Sequence, residues 1–263
     1  MAPNGQRRKR IGWAVVTLAL LLVIAVLATV TLGDVVGRGG GELFTYRVRS
    51  GDVWVESVSR RDNAEQVAAW ADGYLTLLAA RFGVAKPGAV IRLLDNETRY
   101  AAFGRQNLPG FGGAMQFCYA RSDGAVYGWW CPSERLTPRL QHELFHRLAH
   151  RTMPRLPLWL EEGTAVLVET LQAKDGKLAV SGPLVKRLDQ AARLLDEHGL
   201  DKLTTLLDSP QATFIGPQGF DLYSLSYATA AALDSQDRLQ TALRVGVAPV
   251  DGQTVLTFVS RAR

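Results

Sequence analysis

The chain has 263 residues, 47% of them hydrophobic and 21% charged, enough to bury one sizeable core and too balanced for a disordered, collagen-like or coiled-coil protein. A formal net charge of +5 invites a nucleic-acid reading, but four of those charges are Arg7, Arg8, Lys9 and Arg10. The rest of the chain carries 26 basic against 25 acidic residues, which removes the main support for a nucleic-acid surface.

From Ile11 to Gly33 no residue is charged, and Trp13 to Leu32 is almost wholly apolar. At about 1.5 Å per residue such a helix spans roughly 30 Å, the thickness of a bilayer core. It is longer than the apolar region of about 7–15 residues in a cleavable signal peptide, and no convincing small-x-small site precedes Asp34, so an uncleaved signal anchor is expected. The basic cluster precedes it. Residues 1–10 are therefore expected to be a cytoplasmic tail, 11–33 a transmembrane helix, 34–41 a glycine-rich tether and 42–263 an extracytoplasmic folded domain.

Within that domain, alternation around Phe44–Val48 and Val53–Val55 predicts strands, and Val67, Trp70, Tyr74, Leu77, Leu78 and Phe82 fall at helical spacing, with Gly83 as the stop. Ala89–Leu94 and Met115–Tyr119 read as strands and Glu97–Phe103 as a short helix. Cys118 and Cys131, the only cysteines, bracket two short apolar or aromatic runs around Ser122-Asp123-Gly124. In an exported domain they are expected to form a disulfide closing that hairpin at its open end. From Pro138 onward, Leu140–Arg151, Leu158–Leu171, Leu184–His198, Leu200–Leu207, Tyr223–Leu233 and a segment near Leu256 read as helices. The pattern is α+β: a mixed lobe with a small sheet, then a helical lobe.

His142-Glu143-Leu144-Phe145-His146 stands inside the first of those helices. Residues four apart project from one helical face, so the two imidazoles can share one zinc ion. Glu143 is placed to reach a water on that metal without binding the metal itself, the position a general base needs. Zinc lowers the pKa of such a water to about 7 and polarises a carbonyl, which together give amide hydrolysis. His150 is also four residues from His146, but Arg147 would then fill the place of the base, so His150 reads as a packing or hydrogen-bonding residue. His198 reads as a helix-end partner. A third protein ligand is required, and periodicity leaves Glu161 and Glu162 both open.

Pro157-x-Trp159-Leu160-x-Glu162-Gly163-x-Ala165, following His142-Glu143-x-x-His146 at this interval, resembles the gluzincin superfamily of zinc metallopeptidases, and within it the peptidase MA-like proteins. The resemblance implies a zincin-like fold, Zn2+ as cofactor, Glu162 as third ligand and a peptide or protein as substrate, lying along the sheet edge near the cysteine hairpin. Glu161 would then point to solvent or the lobe surface. One departure stands out: thermolysin-type members carry an Asp four residues after the third ligand to orient a histidine, and here that residue is Val166. Support for the histidines must come from elsewhere, and Glu169, two turns after Glu162, is too distant to be assigned that role. Tyr223 and Tyr227 are the candidates for stabilising an oxyanion. The expected protein is a membrane-anchored extracytoplasmic zinc metallopeptidase, and its alternative is an exported zinc-binding scaffold of zincin fold that processes nothing.

Overall fold

Five strands, β1 (Tyr46–Ser50), β2 (Val53–Ser57), β3 (Ala89–Leu94), β4 (Phe117–Ala120) and β5 (Ala125–Trp129), form one mixed sheet in the order β1-β2-β3-β5-β4. The computed structural model describes residues 43–109, 111, 116–131, 133–153, 156–199, 203, 214, 218–246 and 251–262. The expected tail, anchor and tether (1–10, 11–33 and 34–41) lie outside the described residues, as does most of the helix expected at 200–207. Among the described residues no helix is long and apolar enough to cross a membrane.

Strands β2 and β3 pair in parallel, which demands a crossover, and α1 (Arg61–Phe82) supplies it. Its buried stripe of Val67, Ala71, Tyr74, Leu75, Leu78 and Phe82 packs with the inward Val53, Val55, Ile91 and Leu93 in one core. Gly83, at φ 64°, then turns the chain out of the helix, its N–H bonded to the Ala79 and Ala80 carbonyls. A short helix α2 (Glu97–Asn107) follows β3, capped by the Asn96 side chain accepting from the Arg99 N–H at 3.0 Å. β5 runs parallel to β3, and β4 returns antiparallel as the edge strand.

After the sheet come α3 (Ser133–Thr152), α4 (Leu158–Val168), α5 (Val185–His198), α6 (Gly219–Asp234), α7 (Leu239–Val245) and α8 (Gly252–Ala262). The described chain is α+β, with Tyr46–Arg263 forming one compact unit. Helix α3 puts Leu140, Leu144 and Leu148 fully into the core and contacts α1, β4, β5 and α4. Helix α4 packs most extensively on α6, at a separation that requires Gly163: a Cβ there would sit 2.2 Å from the Ser226 carbonyl oxygen.

Several expectations need correcting. Helix α3 starts at Ser133 and runs through Pro138. Helix α4 stops at Val168, and Leu171 begins a hairpin of β6 (Leu171–Lys174) and β7 (Lys177–Val180). Its turn is Asp175-Gly176, both at positive φ (50° and 72°), a pairing whose twist suits a two-residue hairpin. Helix α7 was not anticipated. The disulfide is not formed: both thiols are free, because the ladder sets Cys118 opposite Tyr127 and leaves Cys131 beyond the strand end. Cys131 instead accepts from Gln116 Nε2 at 3.1 Å, and burial pushes the Cys118 thiol up to about 12.

Candidate metal centre

Helices α3 and α4 bring the site together through contacts that run in opposite chain order. His142 meets Glu169, His146 meets Glu161 and Glu162, and His150 meets Glu161. The pair is therefore antiparallel here, so a residue late in α4 lies beside one early in the HExxH run.

The two histidine Nε2 atoms turn inward on one oxygen. His142 Nε2 lies 3.5 Å and His146 Nε2 3.6 Å from Glu162 Oε2, and all three atoms fall within 4.8 Å of one another. Ligand bonds of about 2.0–2.1 Å to a tetrahedral ion put neighbouring ligand atoms about 3.4 Å apart, close to the two distances found. Glu162 Oε2 is buried and has no hydrogen-bond partner, an orphan that a cation at the focus of the three atoms would satisfy. His142, His146 and Glu162 thus fit a divalent metal in both geometry and donor set, and His142 lines, with Glu143, a cleft of about 340 Å³.

Both imidazoles are oriented from behind. His142 Nδ1 lies 2.9 Å from Glu169 Oε1 and His146 Nδ1 2.8 Å from Glu161 Oε1. In the neutral ring Nδ1–H donates to the carboxylate, which leaves the Nε2 lone pair facing inward, the tautomer a metal needs. Two expectations fall here. Glu169 is not too distant: seven residues after Glu162 it returns to the same helical face, and the antiparallel crossing sets it against His142. Glu161 does not face solvent either. It is 4% exposed, and His150 Nε2 at 2.8 Å and Arg121 Nη2 at 3.4 Å complete its surroundings. Val166, in place of the thermolysin-type Asp, lines the cleft.

The charges hold one another in place. Burial works against the imidazolium of His142, but Glu162 and Glu169 outweigh it and raise its pKa to about 9; Glu162 and Glu161 likewise raise His146 well above the ordinary histidine range despite its burial. Burial pushes Glu161 up, and hydrogen bonds from His146 and His150 more than reverse this, to about 2. Glu162 is driven well below the usual carboxylate range, the two histidines overcoming its burial.

Glu143, 7% exposed and at the cleft wall, accepts the Tyr119 N–H of β4 on Oε2 at 2.8 Å. That bond fixes the carboxylate and leaves Oε1 free for chemistry. Of the two tyrosines, Tyr223 lines the cleft, and burial together with Glu162 and Glu143 raises its pKa, so its hydroxyl stays a proton donor. Tyr227 is 1% exposed and accepts the Leu184 N–H at 3.0 Å, a packing role. Sequence reasoning missed Arg121, Arg139 and Arg187 at the site, since no motif marks them. No family model matches the chain, and no curated protein matches it.

Proposed function

We propose that this chain is a zinc metallopeptidase of the gluzincin type with a zincin-like fold, carried on the N-terminal anchor and facing outside the cytoplasm. The observation that carries the reading is the convergence of His142, His146 and the orphaned Glu162 oxygen on one point, with Glu143 beside it. Zinc held there would supply a Lewis acid and an acidified water. Glu143 has the position to take that water's proton on Oε1 and pass it to the leaving amine, while Tyr119 holds its other oxygen still. Tyr223 lines the same cleft, and its hydroxyl can donate to a developing oxyanion.

The substrate fits as an extended peptide along β4. Because the Tyr119 N–H points away from β5, the period of two puts the main-chain groups of Phe117 on the same open edge, and Phe117 lines the cleft. An added strand would find its hydrogen bonds there. The scaffold alternative lacks a use for Glu143: nothing about holding a metal needs a carboxylate fixed beside it. Metal analysis of the purified full chain, followed by incubation with quenched peptides, tests the reading. About one zinc per chain with chelator-sensitive cleavage is expected; no metal and no uptake on adding zinc would sink it, and zinc without cleavage would favour the scaffold.

A further inference from the structure

The cleft over the metal site carries a charge surplus that the chemistry above does not use. Arg139 and Arg187 share its wall with Glu169. Arg139 Nη1 lies 3.4 Å from Glu169 Oε1, an oxygen already engaged by His142 Nδ1. Arg187 has no carboxylate within salt-bridge distance among the described residues; its Nη1 makes a long 3.4 Å hydrogen bond to the Phe220 carbonyl. With Glu143 on the same wall, the two guanidinium groups meet two carboxylates, and a divalent ion held with Glu162 would leave one positive charge over.

Arg187 is also held in a form suited to an anion. Its guanidinium carbon stands 4.7 Å from the Phe220 ring centroid and 5.7 Å from that of Tyr223, so the rings take up the guanidinium surface and fix the group. Paired N–H donors held this way match the two oxygens of a carboxylate. Burial and the like charge of Arg139 press the Arg187 pKa down while Glu169 opposes them; a half-buried cation set near another cation is incomplete without a counter-charge. Tyr223, which Arg187 touches, also faces Glu162. A carboxylate on Arg187 would therefore sit one side chain from the metal ligands, within reach of a residue flanking the cleaved bond.

We propose that Arg187, with Arg139 beside it, binds a carboxylate of the substrate, so that the site selects peptides carrying Asp or Glu next to the scissile bond or ending there in a free C-terminus. The proposal rests on the peptidase reading for its reaction and on the cleft alone for its recognition. The test is cleavage of a peptide library, with members free or amidated at the C-terminus, by the zinc-loaded full chain. Acidic members should be cut about tenfold or more faster in kcat/KM than their amide counterparts, as expected for a hydrogen bond between charged groups. Loss of the preference on amidation assigns it to the C-terminus, and its persistence assigns it to an Asp or Glu side chain. In Arg187→Met the ratio should fall to near one with zinc content unchanged. Equal cutting by the unaltered chain, or an acidic preference surviving in Arg187→Met, overturns the proposal. Should that variant fail to fold, Arg187→Lys keeps the charge and loses the paired donors; a preference reduced severalfold is expected, and an undiminished one overturns it. If no member is cut, the peptidase reading fails and binding decides the rest. Labelled acidic peptides should bind zinc-loaded Glu143→Gln about tenfold more tightly than the amide versions, and equal affinity refutes carboxylate recognition.

Discussion

Helix α4 and the β6–β7 hairpin are neighbours in the chain, and both carry charge, yet they treat it in opposite ways. In α4, Glu161 is buried and Glu162 half-buried, each compensated by histidines on α3. In the hairpin, Lys174, Asp175 and Lys177 are all exposed and need nothing from the fold. Removing a carboxylate from water costs several kcal/mol unless partners replace the hydration. A fold bears that cost where charge has work to do, which is why the buried charges mark the site and the solvated ones do not.

The sharpest way to break this contrast is to remove a partner in α4's network. His146→Ala deletes a proposed zinc ligand and also strips Glu161 and Glu162 of their shared histidine. It should abolish zinc binding and cost about 3–5 kcal/mol of stability, as expected when a buried charge loses its counterpart. Elemental analysis and denaturant unfolding decide it, and a stable, zinc-loaded His146→Ala would refute the ligand assignment. Glu143→Gln should instead keep zinc and lower peptide hydrolysis by about 10²–10⁴-fold, because an amide cannot take the proton. Unchanged hydrolysis in that variant would remove Glu143 from the mechanism.

Next in size is the difference between adjacent carboxylates. Glu162→Gln should lose the metal, since a neutral amide is a poor ligand. Glu161→Gln should weaken zinc by about 10–100-fold, the usual effect of disturbing a group that orients a metal-bound histidine. Competition titration against a zinc chelator measures both. Equal loss in the two variants would mean Glu161 itself reaches the metal; no loss in Glu161→Gln would mean that its bond to His146 does not support the metal site.

The burial of Glu161 shows what a sequence can and cannot reveal. The HExxH spacing was enough to point to His142, His146 and Glu143, because it depends on positions within a single helix. Periodicity left Glu161 and Glu162 both open, and only the resemblance carried by the Trp159-Leu160-x-Glu162-Gly163 run favoured Glu162. Glu169 and Glu161 depend on how α3 and α4 cross, a tertiary fact that no local period contains. Arg187 enters the cleft from a third helix and has no spacing to give it away. The hairpin is legible in Asp175-Gly176 between Leu171 and Val180, a strong two-residue turn signal, but apolar residues that continue the α4 period to Leu171 mask it. The cysteine bridge failed because bracketing a hairpin does not fix register, and register placed Cys118 opposite Tyr127.

A smaller effect separates protons from metal at the same atoms. In the metal-free chain the His142 pKa is raised to about 9, above its unfolded value of about 6.5, so its contribution to stability is complete below about pH 6.5 and disappears as pH rises through 9. Glu161, lowered to about 2, contributes above about pH 4.5 and loses this as pH falls through 2. The melting temperature of chelator-treated protein should therefore fall from pH 6.5 to 9, while the zinc-loaded protein stays nearly level because the metal takes the proton's place on Nε2. Parallel profiles for the two forms would show that the histidines and carboxylates are not coupled as the contacts indicate.

The smallest effect is expected at the hairpin tip, and it probes how far the two regions are independent. The base of the hairpin is tied to the site helix, since Gln141 Nε2, next to His142, donates to the Leu171 carbonyl at 3.0 Å. The tip is not: a Cβ on Gly176 would meet nothing within 4 Å. Gly176→Ala therefore introduces no clash, and its cost comes from backbone conformation alone, about 1 kcal/mol for an L-residue held at φ 72°. Unfolding should register that loss, while zinc affinity and the His142 titration followed by NMR stay unchanged. A shift in either would mean that strain at the turn travels through β6 to Leu171 and Gln141, and that the hairpin, for all its solvated charge, helps set the angle at which α3 presents its histidines.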